Sequence, residues 1–302
     1  MLTHTERLEL ARLSLEGLSV GDSLGAFFEM SSPSRLSHLV TSRTTPSGIW
    51  HFTDDTNMAL SVYQNIRLYN TINQDALADS FVKHYERQRG YGPSTRTFMA
   101  RMRRGEYWRD ITYSFYGGSG SFGNGSAMRV APIGDYFADD IELVVINARL
   151  SAEITHAHLE GISGAIAIAV AAAIAWQTRN DVEMTRQEFI QKIISHLPSS
   201  EVKQACQVAY ELPFHTTALQ AAEILGNGSD VSAQRTVPFV IWCAGEYLHS
   251  FEEAIWQTLS VGGDCDTTSA MVGGILSLSV GYEGIPPEWV KHREPLPEWA
   301  FS

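Results

Sequence analysis

GISGAIAIAVAAAIAW, residues 161–176, contains no charged residue and no leucine. Its reading decides the fold, because such a run is either a bilayer span or the central helix of a large helical domain. It has 16 residues, short of the roughly 20 that cross a hydrocarbon core. Its richness in Ala and Gly also suits close packing inside protein better than contact with lipid. We therefore read it as a buried core helix. Outward from it, residues 6–24 place Leu8, Leu10, Leu13, Leu15 and Leu18 on a wide apolar stripe with helical period. Residues 56–69 do the same with Met58, Leu60, Val62 and Ile66. The same periodicity predicts helices over 74–89, 141–153, 161–177, 186–195, 200–212, 217–225, 237–248, 251–259 and 268–280. No run of period-two alternation is long enough for a sheet. Connections hold Gly, Pro, Asn and Ser, and the proline-dotted stretch 286–297 is expected to wrap the surface. The expectation is a single all-α domain over residues 1–302, with ten or more helices.

A hydrophobic content of 44% is enough to fill a sizeable core, and 19% charged residues leaves much of the chain for the interior. The net charge of −12 disfavours a grip on a nucleic-acid backbone. The one dense basic stretch, Arg101-Met102-Arg103-Arg104, reads as a solvated helix end. Cys206, Cys243 and Cys265 are odd in number and form no CxxC pair, so neither a disulfide framework nor a zinc ribbon is indicated. The first ten residues mix charged and apolar groups without the apolar block of a signal peptide, which points to the cytoplasm.

Two acidic clusters carry the chemistry. Thr53-Asp54-Asp55-Thr56 follows Trp50-His51-Phe52, and Gly262-Gly263-Asp264-Cys265-Asp266-Thr267-Thr268 lies more than two hundred residues later. Helix N-capping accounts for either cluster alone. Brought together, their carboxylates would repel one another unless a cation offset them. Hard oxygen ligands in that number suit Mg²⁺ or Mn²⁺, and can hold two ions. Both clusters are expected in loops at helix starts, where the helix N-termini favour an anionic ligand.

Gly117-Gly118-Ser119-Gly120-Ser121-Phe122-Gly123-Asn124-Gly125-Ser126 offers backbone N–H groups unshielded by Cβ atoms, suited to a pyrophosphate. It has neither the lysine of a P-loop nor a preceding strand, and a plain surface loop is the other reading. Tyr116 and Phe122 beside it are able to stack on a base. Glu29 ends an apolar segment and faces either solvent or a pocket. Asp22 reads as a buried, hydrogen-bonded acid at a helix kink. His156 and His158 flank Ala157 between two helices, with no third ligand nearby for zinc. Cys265 between two aspartates is a poor nucleophile. No Gly-x-Ser-x-Gly elbow supports serine hydrolase chemistry.

Taken in order, Gly21-Asp22-Ser23-Leu24-Gly25, Phe52-Thr53-Asp54-Asp55-Thr56, Gly123-Asn124-Gly125-Ser126-Ala127-Met128-Arg129 and Gly263-Asp264-Cys265-Asp266-Thr267 resemble the ADP-ribosylglycohydrolase family. The resemblance implies an all-α fold with two Mg²⁺ or Mn²⁺ ions held by Thr53, Asp54, Asp55, Asp264, Asp266 and Thr267. It implies that Glu29, or one of Asp55 and Asp264, acts as the base. It further implies a diphosphate and distal-ribose cradle over Gly120, Ser121, Phe122, Gly123 and Asn124, with His156, Phe122 and Tyr116 on the adenosine side. The implied substrate is an ADP-ribosylated protein or a small ADP-ribosyl conjugate, cleaved at C1 of the distal ribose. The Gly123-to-Arg129 motif looks closer to the branch that cleaves serine-linked and acetyl-ester ADP-ribose. We expect a monomer that engages neither nucleic acid nor membrane. A metal-dependent nucleotide phosphohydrolase, a non-catalytic ADP-ribose binder and a purely structural protein are the alternatives.

Overall fold

A computed structural model describes residues 2–29 and 33–302, with the side chains of 33–35 left out of the account. The chain is helical throughout: α1 (His4–Glu29), α2 (Pro33–Ser42), α3 (Asp54–Tyr69), α4 (Gln74–Lys83), α5 (Pro93–Met102), α6 (Trp108–Ser114), α7 (Ala131–Tyr136), α8 (Ile141–Glu153), α9 (Leu159–Gln177), α10 (Arg186–Ile194), α11 (Glu201–Glu211), α12 (Ala218–Leu225), α13 (Val237–Glu246), α14 (Phe251–Ser260), α15 (Cys265–Gly284) and α16 (Pro287–His292). Among the described residues the only β-type pairings are two isolated bridges, Trp50 with Arg293 and Gly123 with Ser232.

The uncharged run is the core helix α9. Every residue from Glu160 to Ala175 is buried, and α7, α8, α10, α13 and α15 pack around it. The buried Glu160 is spent on the neighbouring helix: its two carboxylate oxygens accept the N–H groups of Glu201 (3.0 Å) and Val202 (2.8 Å) at the start of α11. A carboxylate there also meets the positive end of the helix dipole.

The closest packing joins α1 to α15, and it is made by glycine. Gly17, Gly21 and Gly25 recur every four residues on one face of α1. A Cβ at these positions would lie 2.4 Å from the Gly273 carbonyl oxygen, 2.1 Å from that of Ser269 and 2.3 Å from that of Cys265. No side chain fits such gaps. The partners run in reverse order, so the two helices are antiparallel, and the first turn of α15 lies beside the last two turns of α1. That arrangement sets Asp264 and Asp266 next to Asp22 and Glu29.

The structure corrects several expectations. The helix expected over residues 74–89 stops at Lys83, and a 3₁₀ turn at Arg87–Arg89 follows. Arg89 is drawn away to the Phe52 carbonyl (2.8 Å) and to Glu294 of the tail, which an unbroken helix would prevent. Asp22 sits in no kink: α1 runs continuously from His4 to Glu29. Helices α2, α5, α6, α7 and α16 were missed; α7 is six residues and wholly buried, so it has no polar face to reveal a period. The 286–297 stretch is not merely a wrapper. It contributes α16 with a buried Trp289, and its backbone pairs with Trp50 (Trp50 N to His292 O, 2.7 Å; Glu294 N to Trp50 O, 2.9 Å).

Candidate functional site

Thr53 is the N-cap of α3, with its hydroxyl accepting the Asp55 N–H at 3.3 Å. Asp54 and Asp55 therefore lie in the first helical turn, and so does Asp266 in α15, while Asp264 is the α15 N-cap. The two clusters thus occupy helix starts rather than the loops before them. The two starts meet. One carboxylate oxygen each from Asp22, Asp55 and Asp266 lie within 4.8 Å of one another, and the same holds for Glu29, Asp264 and Asp266. Segments that begin at residues 22, 54 and 264 of the chain converge on one space.

Asp22 organises the α3 side. Its Oδ1 accepts from Thr53 Oγ1 (2.8 Å), and its Oδ2 accepts from Thr56 N (3.0 Å) and Thr56 Oγ1 (2.5 Å), with Thr53 N shared between the two oxygens. With its lone pairs so occupied, Asp22 is a buttress for the α3 start rather than a free ligand, although it lies within reach of Asp55 and Asp266. Its burial and hydrogen bonding agree with the sequence expectation; its place beside the acidic clusters comes from the packing of α1 on α15.

The carboxyls crowd one another, and the charge nearest to offset them is the buried Arg129 guanidinium acting on Asp54. Burial first, and then the charge of Asp266, push Asp54, Asp55 and Asp264 well above the ordinary carboxylate range. Asp22 is pushed up to about 7 by burial and Asp266, against the pull of the Thr53 and Thr56 hydrogen bonds. Glu29, at the exposed end of α1, is pushed up to about 7 by burial of its carboxyl end and by Asp266 beside it. Asp55 Oδ2 is fully buried with no hydrogen-bond partner among the described residues. An orphaned carboxyl oxygen inside a ring of carboxyls fits a divalent cation, since oxygen donors of this type are what Mg²⁺ and Mn²⁺ take. Thr53 and Thr267 stand in the same two turns; the Thr267 N–H donates to Asp266 Oδ1 at 2.8 Å.

Asp264 is held from behind. Its N–H donates to Asn227 O (3.2 Å), Asn227 Nδ2 donates to Val261 O (3.0 Å), and Gly228, at φ +83°, leaves room where a Cβ would sit 2.6 Å from the Asp264 Cβ. Asn227 and Gly228 gave no signal in the sequence. Asn124 links this centre to the glycine loop: its Nδ2 donates to Asp264 Oδ2 at 2.6 Å. The loop itself is pinned by Asn124 N to Val231 O (2.9 Å) and Ala233 N to Phe122 O (3.0 Å). Gly120 has φ +77°, and a Cβ there would strike the Ala157–His158 backbone. Ser121 Oγ accepts the Gly123 N–H at 3.3 Å.

The aromatic residues expected near the loop do gather there. Tyr116, exposed and in the left-handed region at φ +52°, packs its ring 5.6 Å from that of Phe122, and His158 meets Phe122 edge-on at 5.7 Å. Phe122 also forms one wall of an open hollow of about 630 Å³, bounded by Glu201, Gln204, Ser232 and Arg235. His158 caps α9 by accepting the Glu160 N–H at 3.1 Å. His156 is buried beneath the loop, with Nδ1 2.8 Å from Thr155 Oγ1. Cys265 is pushed up to about 12, by burial more than by its aspartate neighbours, and so is inert as a nucleophile.

The family model described as ADP-ribosylglycohydrolase matches residues 3–300. The ADP-ribosylhydrolase ARH3 of Gallus gallus is 29% identical, over 94% of this chain and 89% of its own. That of Homo sapiens is 27% identical, over 93% and 88%. A solved ADP-ribosylglycohydrolase-related protein complex superposes with a TM-score of 0.66 at 22% identity, covering 96% of this chain and 94% of that one, which shows a shared fold.

Proposed function

The chain belongs to the ADP-ribosylglycohydrolase family, and from that premise we propose that it hydrolyses the bond between C1 of the distal ribose of ADP-ribose and an acceptor, with the help of divalent cations. The observation that carries this reading is the convergence of Asp55, Asp264 and Asp266, with one orphaned buried oxygen, joined through Asn124 to the glycine loop. Thr53, Asp54, Asp55, Asp264, Asp266 and Thr267 would hold the cations, Mg²⁺ or Mn²⁺. Bound there, such cations would orient vicinal ribose hydroxyls and acidify a water.

This chain's own groups supply the rest. Glu29 stands beside Asp264 and Asp266 at the exposed end of α1, with a carboxylate able to accept a proton. It takes the proton of the water that attacks C1 as oxocarbenium character develops. The glycine loop from Gly120 to Asn124 holds the diphosphate, and Asn124 sets its distance from the reacting sugar, so remote binding orients the reacting bond. Phe122 and Tyr116 offer ring faces to the adenine. The acceptor in this reading is serine or an acetyl ester, on the strength of the Gly123-to-Arg129 motif.

Arginine-linked and serine-linked ADP-ribosyl peptides and O-acetyl-ADP-ribose, each incubated with the protein with and without divalent ions, test the proposal. Intact ADP-ribose is expected, only in the presence of the ion. AMP as product would make this a nucleotide phosphohydrolase instead, and binding without turnover a non-catalytic binder. Asp55→Ala and Asp264→Ala are expected to lower the rate by about a thousandfold or more while leaving the helical circular dichroism intact. Glu29→Gln separates the base from the metal ligands: cation binding persists and turnover falls by about 10²–10⁴-fold. Wild-type turnover in Glu29→Gln would move the base to an aspartate.

A further inference from the structure

Arg129 is a fully buried guanidinium outside the carboxyl cluster, and it points at a histidine. Its Nη2 donates to Ser151 O (2.8 Å) and to Thr155 Oγ1 (2.9 Å), and its Nη1 donates to Gly125 O (3.2 Å). Its Cζ lies 4.7 Å from the centroid of the Phe81 ring. Thr155 Oγ1 in turn lies 2.8 Å from His156 Nδ1. The direction of these bonds is forced. A guanidinium only donates, so Thr155 Oγ1 accepts from Arg129. The single hydroxyl hydrogen then has one acceptor within reach among the described residues, His156 Nδ1. A proton on Nδ1 would face that hydrogen and leave it buried and unpaired, at a cost of about 1–3 kcal/mol.

The ring hydrogen therefore belongs on Nε2. That atom makes no hydrogen bond among the described residues, and it is not one of the fully buried unpartnered nitrogens. It lies against the glycine loop: a Cβ on Gly123 would sit 3.3 Å from it and one on Gly125 3.2 Å from it. The ring stays neutral, because burial and the neighbouring Arg129 charge hold its pKa down at about 3.

We propose that Arg129 and Thr155 are positioning residues that lock His156 as the Nε2–H tautomer, so that it donates to an anionic oxygen of a diphosphate seated in the glycine loop. The other tautomer would turn a lone pair toward that oxygen and repel it. This inference deepens the functional reading above and rests on it for the identity of the ligand.

Long-range proton–nitrogen NMR on the ligand-free protein at neutral pH reads the tautomer directly. The wild type is expected to show His156 protonated on Nε2. Thr155→Val is expected to show a tautomer mixture and about tenfold weaker ADP-ribose binding by calorimetry, the worth of one buried hydrogen bond. Thr155→Ser is expected to restore both, which loss of packing alone would not explain. An Nδ1–H wild-type ring, or a Thr155→Val protein with unchanged tautomer, overturns the proposal. So does a shifted tautomer with undiminished ADP-ribose affinity, since it removes the link to the anion. If the wild type binds neither ADP-ribose nor inorganic pyrophosphate, the functional reading fails instead, and the tautomer in the ligand-free protein still decides whether the lock exists.

Discussion

Asp55 and Asp135 are both buried carboxyls with oxygens that nothing in the described structure hydrogen-bonds, and their neighbours assign them opposite roles. Asp55 is ringed by other carboxyls and two threonine-bearing helix turns, so its open oxygen faces ligands of the kind a cation takes. Asp135 lies on α7 against α1, and its one polar relief is the Ser14 hydroxyl, which it shares with Gly274 O at 3.1 Å. Burial pushes Asp135 well above the ordinary carboxylate range, so it is held as the neutral acid. Its folded-state pKa is raised, so its stabilising contribution is complete below the unfolded value of about 3.9 and is lost as pH climbs toward the folded value. Each unit of that climb costs about 1.36 kcal/mol. Asp135→Asn, which mimics the neutral acid, is expected to match the wild type near pH 4 and to exceed it at pH 7.5. Urea titrations at several pH values check this, and parallel pH slopes for the two proteins would refute it. The chain shows an Asp at position 135 and nothing of this, because the cost arises from α1 and α7 closing around it.

At the scale of elements, the glycine contact between α1 and α15 does more than pack a core. It places the start of α15 against the end of α1, and Asp22 then ties the start of α3 to the same place through Thr53 and Thr56. Gly21 is the tightest point, 2.1 Å from a carbonyl oxygen once a Cβ is added. That oxygen belongs to backbone and cannot swing away, so Gly21→Ala must push the helices apart. We expect Gly21→Ala to destabilise the fold by about 1–3 kcal/mol or more, and to weaken cation binding as well, because Asp266 moves with α15. Thermal melts with and without cation separate the two effects. A melting temperature within a degree of wild type would mean the helices do not sit this close. Gly21 and Gly25 stood in a motif that carries the family resemblance, but their packing role with Gly17 was not legible, since the partner helix lies about 250 residues away in sequence. The helices expected from residues 186 and 217 start within one residue of those positions, where Thr185 and Thr217 form capping boxes. Short, fully buried helices such as α7 were not legible, because burial on all sides erases the apolar period.

On the scale of the whole molecule, a −12 chain brings Asp22, Glu29, Asp55, Asp264 and Asp266 to one place, where they need protons or metal ions. Asp22 and Glu29, raised to about 7, and Asp54, Asp55 and Asp264, held well above the ordinary carboxylate range, keep protons through mildly acidic pH. Without cations their contribution to stability is complete below about pH 4 and falls as pH rises through 7. Cation binding must release these protons, so it strengthens along the same rise. Mg²⁺ or Mn²⁺ at saturating concentration is therefore expected to raise the melting temperature by several degrees at pH 8 and by far less at pH 5.5. Asp55→Asn should abolish most of that shift. An equal shift at both pH values would place the cation elsewhere.

The amino-acid sequence by itself settled the helical class, the buried standing of α9, the two acidic turns and the family, because each depends on residues that are near neighbours in the chain or on a motif of a few positions. It also singled out most of the cleft, Thr53 to Asp55, Asp264 to Thr267 and the glycine loop. The tertiary structure alone decided that Asp22 is a buttress, that Asn227 and Gly228 back Asp264, that Asn124 bridges loop and carboxyls, and that Arg129 reaches His156 through Thr155. These contacts join segments tens to hundreds of residues apart, and no local periodicity encodes them. They exist because helices meeting at glycine-lined and side-chain-filled faces have one close-packed arrangement, and that arrangement fixes which distant polar atoms share a hydrogen bond.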